Sequence, residues 1–119
     1  MRDFRELMVW QKAHALTLRV YRDTEGFPTS ELYGLTKQIR RATASIGANI
    51  AEGTGRNSGP DFGRFLQMAL GSASELEYHM ILASDLEYLD PAIADEIIEK
   101  AQEVKRMLTS LIQKVRAPN

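Results

Sequence analysis

Glycine and proline gather at only three places in this chain: Gly26-Phe27-Pro28-Thr29-Ser30, the stretch from Gly53 to Pro60, and Asp90-Pro91. These residues are the strongest local punctuation for turns, so what lies between them forms four long segments. Apolar residues in each segment recur at steps of three and four, the period of a helix face, and not at the alternation of a strand. The first segment carries Val9, Ala13, Leu16 and Val20, with Trp10, Thr17 and Tyr21 beside them. The second carries Leu32, Leu35, Ile39, Ala42 and Ile46, and the third Phe62, Phe65, Ala69, Ala73, Leu76, Met80 and Ala83. In the fourth, Ile97, Ala101, Val104, Leu108, Leu111 and Val115 alternate steps of four and three without a miss. Each helix thus presents a heptad-like seam.

Helix termini can be placed independently of that period. Ser58 followed by Asp61 is a capping-box variant, in which the hydroxyl oxygen accepts a backbone N–H and the acid suits the positive helix end. Asp90 before Pro91 is an N-cap with proline at the first helical position, and Lys114 and Arg116 fall near the last carbonyls, where positive charge is favoured. Helices of about 20 to 28 residues span about 30 to 42 Å. Joined by short connections they must run antiparallel. The expected architecture is all-α: an antiparallel up-down-up-down four-helix bundle forming a single domain over residues 1–119.

Composition narrows the class. With no cysteine, the chain has neither a disulfide framework nor a Cys-ligated metal centre. No apolar run exceeds the four residues of Leu7 to Trp10 or Met80 to Ala83, whereas a membrane-spanning helix needs roughly 20. The opening Met1-Arg2-Asp3-Phe4-Arg5-Glu6 leads into no apolar stretch of a secretory signal, so a cytoplasmic protein without membrane association is expected. The formal net charge of −1 conceals an uneven distribution. Between Tyr33 and Arg64 five bases face two acids; between Phe65 and Glu99 there are eight acids and no Lys or Arg. The molecule should be dipolar, with part of this charge absorbed by pairing between helices.

Catalytic signatures are weak. Bundle enzymes usually build metal centres from carboxylates and Glu-x-x-His pairs, and neither His14 nor His79 has a Glu three residues before it. Glu75 and His79 could share a helix face but supply too few ligands, and His79 reads as a helix-surface or interface residue. Gly53-Thr54-Gly55-Arg56 follows a helix and lacks the Lys-Ser/Thr ending of a P-loop, so it reads as a flexible turn. The expectation is a non-enzyme with no catalytic residues, no metal and no cofactor.

More informative are polar stripes beside the apolar seams. Arg41, Ser45, Asn49 and Glu52 form one on helix 2, and Ser72, Glu75 and His79 another on helix 3, with Ala69, Gly71 and Ala73 beside it to allow close helix approach. Arg41, Asn49, Glu52 and Glu75 are therefore candidates for a polar network that fixes helix register, or for a subunit interface or RNA-facing groove. Helix 1 adds Leu7, Trp10, Leu18 and Tyr21 outside its seam and helix 3 adds Leu66, Leu70 and Leu82, an excess that points to oligomerisation with helix 1 as the favoured element. Trp10 can anchor such an interface or close the bundle end.

The stretch Phe4-Arg5-Glu6-Leu7-Met8-Val9-Trp10-Gln11-Lys12-Ala13, the block YGLTKQIRRATASIGANIAEGTGR from Tyr33 to Arg56, and FGRFLQMALGSASELE from Phe62 to Glu77 resemble the four-helix-bundle proteins encoded in intervening sequences of bacterial large-subunit ribosomal RNA genes. The resemblance extends nearly from the start of the chain to Leu89. It implies an antiparallel four-helix bundle assembled as a homopentamer. The chain is also similar to the accessory protein of diversity-generating retroelements, a pentameric bundle that binds reverse transcriptase and nucleic acid. Gly47 stands where the family usually has proline, so a kink in helix 2 is not carried over.

For nucleic acid the candidate residues are Lys37 and Arg40 on helix 2, Arg56 in the following turn and Arg64 in the first turns of helix 3. Arg41 is set aside because its stripe can bury it against Glu52 or Glu75. Clustered bases suffice for phosphate contact, and an oligomer multiplies a weak patch by avidity. Against this stand an isoelectric point of about 6.1 and no RNA-recognition motif. The sequence therefore predicts an oligomeric scaffold with weak, sequence-tolerant RNA or DNA binding and room for a protein partner. The alternative is a protein-interaction scaffold that docks partners on helix 1 or the acidic helix 3 to helix 4 region.

Overall fold

A computed structural model describes residues 3–118; Met1 and Arg2 of the opening stretch and Asn119 lie outside the described residues. Four helices account for most of the chain: α1 (Met8–Asp23), α2 (Leu35–Thr54), α3 (Gly59–Asp85) and α4 (Pro91–Arg116). Short 3-10 turns, Phe4–Glu6 and Thr29–Glu31, precede α1 and α2. No strand occurs among the described residues.

Register shows that neighbours run antiparallel. Thr17 of α1 bonds Thr43 of α2, while Arg40, earlier in α2, reaches back to Tyr21, later in α1. Arg41 and Ser45 of α2 pair with Glu75 and Ser72 of α3, again in falling order. Lys12 and Arg19 of α1 pair with Glu103 and Glu96 of α4. Thus α1 and α3 each pack on both α2 and α4, and the bundle measures 50 × 22 × 20 Å.

The seams become the core. Val9, Ala13, Leu16, Val20, Ile39, Ala42, Ile46, Ala69, Ala73, Leu76, Met80, Ile97, Ala101, Val104 and Leu108 are all buried. The last part of α4 differs from the sequence reading: Ile112 is buried and Leu111 and Val115 are half-buried. A straight helix drifts about 20° per heptad against a 3.5-residue repeat, so by the fourth turn the next inward position is one residue further on. Leu32 lies before α2 and is exposed, and Leu66 belongs to the core instead of a second apolar face. Phe27 and Leu89, both from connections, complete the core at the far end.

Caps act where the sequence puts them. The Ser58 hydroxyl accepts from the Asp61 N–H at 3.2 Å, and the Asp90 carboxylate accepts from the Ala92 N–H at 2.8 Å. α2 has no side-chain bond from its own N-cap Gly34; Glu31 instead accepts from the Leu35 N–H. At the end of α3, the Tyr88 N–H bonds the Ala83 carbonyl while Glu87 takes a left-handed φ of 63°. This is a Schellman-type stop at a position that usually prefers glycine, costing roughly 1–2 kcal/mol of backbone strain.

α2 runs unbroken through Gly47 and on to Thr54, so Gly53 is helical and not part of the turn. A Cβ there would lie 2.7 Å from Phe62. The absent side chain lets the Phe62 ring and the Phe65 Cβ of α3 close against α2.

Candidate nucleic-acid interface

Antiparallel packing gathers the end of α2, the start of α3 and the end of α4 at one end of the bundle. A Cβ on Gly59 would fall 2.0 Å from the Val115 carbonyl oxygen, and one on Gly63 would fall 2.7 Å from Arg116 Nε. Glycine at these two positions allows the last turn of α4 to seat directly on the first turn of α3. Arg116 therefore lies across Gly63, the residue before Arg64, although 53 residues separate Arg116 from Gly63 in sequence.

Arg56 and Arg64 meet at the same end. Their guanidinium carbons lie 4.3 and 4.6 Å from the centroid of the Phe65 ring, so the two charges are at most about 9 Å apart. Phe65 is buried, but both arginines are exposed. A guanidinium stacked on a ring keeps its in-plane N–H donors available. Arg64 shares its charge with Asp61 at 3.0 Å. Arg56 has no ion pair among the described residues.

The other two predicted phosphate ligands lie elsewhere. Lys37 and Arg40 occupy the first turns of α2, a helix of 20 residues spanning about 30 Å, so one footprint cannot join them to Arg56 and Arg64. Lys37 is exposed. Arg40 is half-buried and tied to the fold: Nε donates to Thr24 Oγ1 and Nη2 to the Tyr21 carbonyl, both at 3.1 Å, and the guanidinium stacks on Tyr21 at 4.8 Å.

The polar stripes meet along the α2–α3 seam. Arg41 pairs with Glu75 and bonds Gln38, yet its side chain remains 54% exposed, so the pair is solvated and not buried. Ser45 and Ser72 bond at 2.6 Å, and Asn49 donates to the Ser45 carbonyl at 2.8 Å. Glu52 is exposed and joins no bond or ion pair with these residues. Gly71 has nothing within 4 Å of its Cβ position, so the close helix approach uses Ala69 and Ala73 alone.

His79 differs from its sequence reading. It is only 9% exposed, with Nδ1 buried and unpartnered and Nε2 3.8 Å from Glu75. Burial lowers its pKa below the ordinary histidine value; Glu75 opposes that shift and Arg41 adds to it. Its position three residues after Leu76 on the seam could have signalled this.

Among the described residues, no group of three His, Asp or Glu could hold a metal ion, and no helix is long and apolar enough to cross a membrane. The sequence model for the 23S rRNA-intervening sequence protein matches residues 5–110. The chain belongs to this family. A solved structure with the same bundle comes from a protein of unknown function of the S23 ribosomal protein family in Bacteroides thetaiotaomicron. It is 30% identical, the match covers 89% of this chain and 99% of that one, and the TM-score is 0.80. No curated protein matches. Membership of the intervening-sequence family thus establishes the fold, while the basic end must be read from its own chemistry.

Proposed function

We propose that this intervening-sequence family member is a non-enzymatic helical scaffold, assembled from several copies, that binds RNA or DNA weakly through the phosphate backbone at its basic end. The observation that carries this reading is the pair Arg56 and Arg64, preset on the Phe65 ring with exposed side chains. Arg116, set across Gly63, and Lys114 in the last turn of α4 add to the same end. Backbone contacts position a strand without specifying its sequence, which suits a patch that lacks base-reading side chains.

Apolar surface supports assembly. Met8 and Leu18 on α1 and Met68, Tyr78 and Ile81 on α3 are exposed apolar side chains on diagonally placed helices. Contact between α1 of one copy and α3 of the next is heterologous and closes a ring when the rotation allows. A pentamer is the ring that the family resemblance implies. Trp10 is half-buried against Gly47 of α2, with His14 stacked on it and Phe4 edge-on beside it, so it serves bundle packing first.

Charge reversal tests the reading. Arg56→Glu with Arg64→Glu should lower affinity for all RNA sequences about equally while circular dichroism and oligomer mass stay unchanged. If the helical double variant binds as tightly as wild type, these arginines are not the site; if the wild type itself shows no salt-sensitive binding to RNA or DNA at micromolar concentrations, the protein-interaction scaffold replaces the nucleic-acid reading.

A further inference from the structure

At the opposite end of α2, a cleft opens between the end of α1 and the segment leading into α2. We infer that it binds a nucleoside monophosphate, free or as one unit of a single strand, with the base against its aromatic wall and the phosphate at Lys37. The site is separate from the basic end and does not depend on Arg56 or Arg64.

The cleft is shallow and largely open to solvent, with about 520 Å³ of space above its floor. Tyr21, Leu32, Tyr33, Thr36, Lys37 and Arg40 line it together with Arg41. Tyr33 is 86% exposed, a large ring left in solvent at the mouth of an apolar recess. Arg40 is pinned on the Tyr21 ring by its bonds to Thr24 and the Tyr21 carbonyl, so a flat cation–aromatic pair forms part of the wall without needing to be ordered on binding. Bases stack on aromatic rings and on guanidinium planes alike.

Thr36 separates this cleft from an ordinary groove. The hydroxyls of Thr17, Thr24 and Thr109 each donate to the carbonyl four residues back. For Thr36 that residue is Leu32, which lies outside α2, and its Oγ1 is buried without a hydrogen-bond partner. A hydroxyl both donates and accepts, which suits the mixed edge of a base or a ribose hydroxyl. Lys37, the next residue, is exposed and has no ion pair among the described residues, which leaves its ammonium for a phosphate. Rings and a free cation line the recess, and Thr36, whose buried hydroxyl is unpaired, borders it, so that together they match the three parts of a nucleotide.

The test is an amide-resolved NMR titration of the full-length protein with adenosine monophosphate, adenosine, inorganic phosphate and a ten-nucleotide single-stranded RNA. The monophosphate should shift Tyr33, Thr36 and Lys37 saturably and more tightly than either adenosine or phosphate alone. Tyr33→Ala should weaken it about tenfold, from lost stacking. Thr36→Val should weaken it about threefold to tenfold while leaving thermal stability equal or higher, a combination that a purely structural threonine would not give. Tighter binding of the strand at the same amides assigns the site to RNA, and equal binding assigns it to the free nucleotide. The inference is overturned if those amides do not move, if both variants bind as wild type, or if the amides shift only with protein concentration, which would mean that a second copy covers the cleft. If charge reversal at Arg56 and Arg64 leaves RNA binding intact while the monophosphate still saturates the cleft, the basic-end reading falls and this one stands.

Discussion

At one end of the bundle Arg56 and Arg64 share the Phe65 ring, and Lys114 and Arg116 close the last turn of α4. At the other, Asp85, Glu87, Asp90 and Asp95 surround the α3–α4 connection, and of the cations that reach that end from α1 and α2, Arg19 and Arg40 are tied into the fold while Arg22 and Lys37 are exposed without an ion pair among the described residues. Arg19 spans Asp23 and Glu96, at 3.0 and 3.3 Å, and Arg40 is tied to Thr24 and Tyr21. Part of the acidic run is likewise neutralised between helices, Glu75 by Arg41 and Glu77 by Lys105. The comparison teaches that a count of bases is a poor guide to a binding surface. What matters is how each guanidinium's N–H groups are spent: Arg40 gives Nε and Nη2 to Thr24 and Tyr21, Arg64 turns Nε and Nη2 toward Asp61, and Arg56 beside the Phe65 ring has no side-chain partner among the described residues.

The heaviest perturbation strikes the core that holds both ends. Leu108→Ala, in the middle of the α4 seam, should cost about 2 to 5 kcal/mol in denaturant unfolding, and a loss below about 0.5 kcal/mol would place that residue at the surface. Next in size is Gly59→Ala, which forces a Cβ against the Val115 carbonyl. It should cost about 1 to 3 kcal/mol and raise amide exchange at the α4 terminus. A neutral result would show that α4 does not seat on α3 there, and the grouping of Arg116 with Arg64 would fail.

The acidic end answers in the opposite sense. Glu87→Gly relieves the left-handed φ of 63° and should stabilise by up to about 1 kcal/mol once the freer unfolded chain is counted. Destabilisation would mean that the Glu87 side chain, not the turn geometry, holds this end.

A pH series supplies a direction without a magnitude. The folded pKa of His79 is depressed by burial, so as pH falls through the unfolded value of 6.5 the unfolded chain binds a proton that the native state refuses. Its contribution is complete above that value and is lost toward the lowered folded one. His79→Leu should flatten the dependence of stability on pH below neutrality, and an unchanged slope would assign the effect to other groups.

Much of this fold was legible because helix period, caps and turn residues act locally. The seam residues of α1 and α3, and the caps at Ser58 and Asp90, needed no knowledge of neighbours. Ile112 was missed because a 3.5-residue repeat was extended past the point where a straight helix drifts off it. Phe27 and Leu89 carry no period, being single apolar residues in connections. The candidate interface was less visible. Lys37, Arg40, Arg56 and Arg64 look equivalent in sequence, and only packing shows one pair on a common ring and Arg40 locked in place. Arg116 could be joined to them only through the register of α3 against α4, set by Gly59 and Gly63.

The central claim is that the basic end grips phosphates, and the salt dependence of binding to a single-stranded RNA measures this most directly. Each neutralised phosphate contributes about −0.7 to the slope of log K against log salt. With Arg56, Arg64 and Arg116 engaged, the wild type should show a slope of about −2, falling toward about −0.7 when Arg56 and Arg64 are reversed. A wild-type slope near zero, or no binding at micromolar concentrations in low salt, would contradict the account.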